Sequence, residues 1–189
     1  KIGILNFASA TMPAGRFMSG SSGQEQSIAR SSTLYTSLSA DAAQPFYRLH
    51  ASDQRGGFYT HSIIYSPDIY LFRDDNGDWF HPLRVDVLSS PAVNAGQVRK
   101  KNFWKPPAEV EAAISSVMRE RMGRILALFE REGVKQLVLG SFGTGAFQNS
   151  VHEIARLWYE LLRAPGAPYA FSFDYVVFAI PDFSTQQKF

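Results

Sequence analysis

The sequence contains no cysteine. That excludes a disulfide framework, thiolate zinc sites, iron–sulfur clusters and a cysteine nucleophile. It has no apolar run near the ~20 residues that a membrane-spanning helix requires. A charge surplus is missing as well: 19 Lys and Arg against 17 Asp and Glu leave a net +2, which does not mark a nucleic-acid binder by bulk charge. Histidines are few. His50, His61, His81 and His152 stand apart with no metal-ligand spacing, so no metal site is expected. Ser19, Ser21 and Ser22 crowd one loop, but no Gly-x-Ser-x-Gly elbow runs through them, and Ser/His/Asp hydrolysis has no support.

What is present is a chain of 189 residues, 45% hydrophobic and 19% charged, enough for one sizeable core. Strand and helix patterns alternate, which predicts a layered α/β domain over 1–189 with no internal repeat. Residue 1 is Lys and Ile2 already opens a strand pattern, so upstream residues are expected to be missing. Strands are predicted over 2–7, 62–65, 69–73, 79–81, 83–89, 137–139 and 173–180. Helices are predicted over 24–38, from Pro106-Pro107 to Gly133, and over 150–162. Residues 39–58 read as irregular. Asn76-Gly77 supplies a hairpin turn. The acidic residues around it do not make a calcium loop, because the frame with Gly77 at loop position 6 puts Phe72 and Leu83 where carboxylates belong.

Two segments carry candidate chemistry. Gly140-Ser141-Phe142-Gly143-Thr144-Gly145-Ala146-Phe147 lies between a strand and a helix, where glycines let the backbone approach a ligand and N–H groups favour an anion. It lacks the Lys-Ser/Thr of a Walker loop and the third glycine of a dinucleotide fingerprint. A phosphate cradle and a plain strand-to-helix turn are both open at this point. The second segment starts at Asn6-Phe7-Ala8, passes through Pro13-Ala14-Gly15-Arg16 and reaches Gln24-Glu25-Gln26.

These segments, with Ser27 to Tyr35, Ile64 to Asp68, Phe72 to Asp75 and Val85 to Ala92, resemble the microbial-type poly(ADP-ribose) glycohydrolases over most of the chain and in the right order. The resemblance implies a macrodomain: a mixed sheet between helices, three layers in all, with ADP-ribose bound across loops at the strand ends. It implies Asn6, Ala14, Gly15, Arg16, Gln24, Gly143, Thr144, Gly145, Ala146 and Phe147 as ligand-binding positions. Phe147 falls beside the distal ribose, and Phe183 where macrodomains stack adenine. No cofactor is expected. ADP-ribose, poly(ADP-ribose) or an ADP-ribosylated macromolecule is the expected partner, with no membrane. A monomer and an intracellular setting, cytoplasmic or nuclear, are expected.

Two departures from the family pattern bear on activity. Its glycine triplet is Ala14-Gly15-Arg16 here, and its Gln-Glu-Glu is Gln24-Glu25-Gln26. The family's second Glu protonates the departing ribose oxygen, and a primary amide has no such proton to give. Loss of a general acid typically costs ~10²–10⁴ in rate. Glu25 matches the first Glu, which positions the ribose. Arg16 either crowds the site, bonds the phosphates or is a solvated loop arginine.

Three readings of function follow. One is a binding module that keeps the pocket without the acid at Gln26. The second is an active ADP-ribosyl hydrolase using Glu25 as acid. The third is a generic nucleotide-binding α/β domain, which leaves the Asn6-to-Gln26 match unexplained. Arg99 to Lys105 interleaves charge with Phe103 and Trp104; it reads first as an exposed loop whose aromatics anchor it to the next helix, and second as a grip on a polyanion such as nucleic acid or poly(ADP-ribose).

Overall fold

The computed structural model describes residues 1–52, 55–74 and 76–180. Within them the order is β1 (Ile2–Phe7), α1 (Gln24–Ser31), α2 (Leu34–Ser39), α3 (Gln44–Ser52), β2 (Ile64–Arg73), β3 (Trp79–Ser90), α4 (Ala95–Lys101), α5 (Pro107–Arg131), β4 (Gln136–Leu139), α6 (Val151–Leu162) and β5 (Tyr175–Phe178). The five strands form one sheet in the order β2-β3-β1-β4-β5. Only the β2–β3 hairpin is antiparallel; β1 pairs in parallel with both β3 and β4.

Side-chain alternation along β1 divides the core. Ile2 and Ile4 face α1 and α2, joining Ala29, Leu34, Leu38, Ile69, Val85 and Val87. Leu5 and Phe7 face the opposite layer, where Val110, Ile114, Met118, Met122, Ile125, Leu126 and Phe129 of α5 pack with Ile154, Leu157 and Trp158 of α6. The result is the expected three-layer α/β/α domain with a mixed sheet. Gly3 permits a close approach of α5 to the sheet: a Cβ there would lie 2.7 Å from the Phe129 ring.

Several boundaries differ from the sequence reading. The helix expected over 24–38 breaks at Ser32-Thr33, where Ser32 Oγ donates to Ile28 O and accepts from Leu34 N, ending one helix and starting another. The irregular stretch 39–58 holds a 3₁₀ turn at Asp41–Ala43 and then α3. The four short β pieces merge into two long strands. A register irregularity next to Asp68 (φ +54) lets the pairing continue past Pro67. Helix α4 was not anticipated.

Candidate active site

The carboxyl ends of β3, β1 and β4 lie side by side, and the chain crosses from one side of β1 to the other between β3 and β4. Open α/β sheets place ligand crevices at such a switch point. Both candidate segments emerge there.

The start of α1 holds the preceding loop with three consecutive side chains. Gln24 accepts from Phe7 N at 2.8 Å and donates to Leu5 O at 2.7 Å, gripping the end of β1. Glu25 Oε2 accepts from Ser9 N at 2.8 Å, and its Oε1 accepts from Asn6 Nδ2 at 3.2 Å. Gln26 Nε2 donates to Ala14 O at 2.8 Å. Asn6 points to this side because it shares the face of Ile2 and Ile4, and its Nδ2 also donates to Ser89 Oγ of the adjoining strand at 2.8 Å. The structure therefore brings Asn6, Ala14, Gly15, Gln24, Glu25 and Gln26 together around the start of α1.

Burial sets the electrostatics. Glu25 is buried, which pushes its carboxyl up to about 7, against the opposing pull of the Ser9 amide and Asn6. Asn6 Oδ1 is buried without a hydrogen-bond partner among the described residues. So is the hydroxyl of Tyr47 on α3, whose pKa is raised by burial and then by the charge of Glu25. Tyr47 was missed by the sequence reading because it falls in the stretch read as irregular.

Ala14 and Gly15 both adopt left-handed backbone, at φ +51 and +55. Alanine does so at a cost, which gives a physical reason for glycine at that place in the family pattern. A Cβ on Gly15 would sit 2.9 Å from Gln26 Nε2, so the loop passes directly over residue 26. Arg16 is exposed and has no ion-pair or hydrogen-bonded side-chain partner among the described residues.

The glycine loop is pinned at its ends. Asn149 Nδ2 donates to Gly143 O and to Val93 O, and Asn149 N also donates to Gly143 O. Gly143 has φ +77, and a Cβ there would meet Ala92 Cβ at 2.4 Å. Between these pins, the amides of Gly145, Ala146 and Phe147 donate to nothing among the described residues, while Thr144 N and Gln148 N turn inward to Ser141 O and Gly145 O. Consecutive unspent amides form an anion-binding concavity. Beside it, Tyr59 (φ +56) places its ring 6.1 Å from that of Phe147. Arg121, fully buried in α5, holds that strained segment by donating to Phe58 O and Tyr59 O, and fixes the end of β3 through Pro91 O. The helical periodicity of α5 concealed Arg121, since only its apolar neighbours were read as inward-facing.

Phe183 lies outside the described residues. Phe103 and Trp104 do not anchor their loop: they are 82% and 67% exposed and pack edge-on against each other. The segment is exposed as first read, but the anchoring role of its two aromatics is overturned. No three His, Asp or Glu side chains converge as a metal set among the described residues. Clefts of about 390, 360 and 480 Å³ elsewhere are lined by none of Asn6, Glu25 or Gln26.

Comparison with known proteins bears on the family and the fold as a whole. Residues 1–74 match the family model for the microbial-type poly(ADP-ribose) glycohydrolase catalytic domain. The poly(ADP-ribose) glycohydrolase of Deinococcus radiodurans, solved in complex with ADP-ribose, is 34% identical with a TM-score of 0.87, over 98% of this chain and 70% of that one. The enzyme of Thermomonospora curvata bound to the inhibitor ADP-HPD is 40% identical with a TM-score of 0.87, over 98% of this chain and 66% of that one. No curated protein sequence matches the chain. Identity at this level over nearly the whole fold places the chain in the microbial-type poly(ADP-ribose) glycohydrolase family.

Proposed function

We propose that this chain binds ADP-ribose, free or as the terminal unit of a polymer, across the carboxyl ends of β1 and β4 between the Ser9–Arg16 loop and the glycine loop, and hydrolyses its glycosidic bond slowly because residue 26 is an amide. The observation that carries this reading is the pairing of a buried Glu25, fixed by Asn6 and Ser9 N, with Gln26 fixed to Ala14 O under the loop. The unspent amides of Gly145, Ala146 and Phe147 suit the diphosphate, and Phe147 with Tyr59 offers an apolar wall to the distal ribose. Arg16, at the rim, is a further cation for phosphate.

In this mechanism the bond from the ribose anomeric carbon to its leaving oxygen breaks through an oxocarbenium-like transition state, and water then adds to that carbon. Protonation of the leaving oxygen belongs to residue 26. With Gln26 it can only be hydrogen-bonded, which leaves binding intact and raises the barrier. Glu25 holds ribose hydroxyls.

A second reading makes Glu25 the acid, and its carboxyl at about 7 favours it. Against it, both oxygens are already held by hydrogen bonds from Asn6 Nδ2 and Ser9 N, the arrangement of a positioning group. Calorimetric titration with ADP-ribose and with AMP, beside an assay of ADP-ribose release by the parent and by Gln26→Glu, tests the proposal. ADP-ribose should bind far more tightly than AMP, and release should rise with the substitution. Equal affinity for the two ligands removes the glycine loop as a diphosphate site, and a parent already at a typical enzyme rate removes Gln26 from its role.

A further inference from the structure

Helix α4 is strapped to the glycine loop. Gly96 N donates to Phe147 O at 3.2 Å, and Arg99 Nη1 donates to Gln148 O at 2.8 Å. One turn beyond Arg99, ~6 Å of rise along such a segment, the chain presents Phe103 and Trp104. Their rings meet edge-on, with centroids 5.4 Å apart at 83°, so broad faces stay open. Around them the cations outnumber the acids. Glu111 is engaged by Arg99 and Glu109 by Lys105, while Lys100 and Lys101 have no ion-pair partner among the described residues. Exposed aromatics interleaved with cations form a stacking platform for bases joined by phosphates.

A second aromatic pair, half-buried Phe72 with exposed Trp79, lacks this character. Phe72 stacks on Trp79 at 5.2 Å, the Arg73 guanidinium also lies 5.2 Å from the Trp79 ring, and Asp74 and Asp78 flank the turn. Its faces are already occupied and its charge is mixed.

We infer that Lys100, Lys101, Phe103 and Trp104 form a second subsite, which takes the next ADP-ribose unit of a polymer whose terminal unit lies in the Glu25–Gln26 cleft. The inference rests on the ADP-ribose reading above. An adenine stacks on Phe103 or Trp104, and its diphosphate is neutralised by the two lysines. Continuity with the glycine loop through α4 and the local positive charge select a polyanion attached to the bound unit over an unrelated partner.

The test compares ADP-ribose, the ADP-ribose dimer, longer oligomers and polyadenylate as ligands of the parent chain, of Phe103→Ala/Trp104→Ala and of Lys100→Glu/Lys101→Glu, with circular dichroism to confirm folding. Oligomers should bind the parent about tenfold more tightly than ADP-ribose, and either pair of substitutions should abolish that advantage while leaving ADP-ribose affinity unchanged. The salt slope for oligomers should fall by about 1.4 on losing the two lysines, at ~0.7 per neutralised phosphate. Equal affinity of monomer and oligomer, or an advantage that survives both variants, overturns the subsite alone. Failure of ADP-ribose itself to bind overturns the functional reading instead. Polyadenylate binding more tightly than the oligomers, and undisturbed by saturating ADP-ribose, makes the platform a nucleic-acid surface and overturns the inference.

Discussion

The side-chain amide of Gln26 donates to the carbonyl oxygen of Ala14 at 2.8 Å, across a loop whose backbone is left-handed at both Ala14 and Gly15. A carboxyl at residue 26 facing the same carbonyl is favoured in its protonated form, since an ionised oxygen there repels the carbonyl dipole. A Glu substituted at this position should be held protonated by that carbonyl.

Gln26→Glu is therefore expected to raise ADP-ribose release by ~10²–10⁴, with ADP-ribose affinity changed by no more than a few-fold. The gain should fall away as pH rises through the introduced carboxyl's pKa. A pH–rate profile from single-turnover release checks this, and an unchanged rate removes the role assigned to residue 26.

Glu25 should leave a signature in stability. Its folded carboxyl titrates at about 7 against an ordinary value of 4.5, so between those values the native chain holds the extra proton. The stability contributed by this group is complete below pH ~4.5 and is lost as pH rises through ~7, on the order of 3 kcal/mol in all. Carboxylates held low, such as Asp86 beside Lys1, act with the opposite sign. Urea unfolding of the parent and of Glu25→Gln across pH 4 to 8 isolates the difference: the parent should lose stability over that window relative to the variant. Parallel curves contradict it.

Asn6→Asp places a second carboxylate against Glu25 Oε1 and removes the donor that Glu25 and Ser89 share. Two like charges in a buried site should cost about 3 kcal/mol or more at neutral pH, with partial recovery as pH falls toward 5. Thermal melts at both pH values measure it.

Gly143 and Gly145 should separate stability from binding. Gly143→Ala forces a Cβ to 2.4 Å from Ala92 at φ +77 and should destabilise the fold by roughly 2 kcal/mol or more. Gly145 has open space around its Cβ position, so Gly145→Ala should melt like the parent yet bind ADP-ribose at least tenfold more weakly, because the methyl enters the space assigned to the diphosphate. Normal affinity in Gly145→Ala contradicts that assignment.

The β1 strand, the long α5 and the glycine loop were legible because each is signalled locally, by an apolar run, a helical period and turn residues. Helix α3 was not: it spans only nine residues, and Pro45, tolerated in a first turn, reads as a loop residue. Pro67 and Pro82 likewise disguised β2 and β3 as fragments. At the site, Gln24, Glu25 and Gln26 were legible through a family pattern. Ser9 N, Ser89, Tyr47, Tyr59 and Arg121 were not, since each reaches the site through the fold and has no short-range signature. Phe103 and Trp104 show the converse error, since aromatic residues are read as buried by default while their exposure is a tertiary fact.

Gly143 O accepts from both the backbone and the side chain of Asn149, and that side chain also holds Val93 O. The two feet of the loop are thereby stapled to each other and to the neighbouring strand end without help from residues 144–147. Phe147 belongs to the frame, through its packing on the core and its carbonyl bond to Gly96 N. Gly145 and Ala146 stand outside both, so the loop's surface can change there while its anchorage stays as it is.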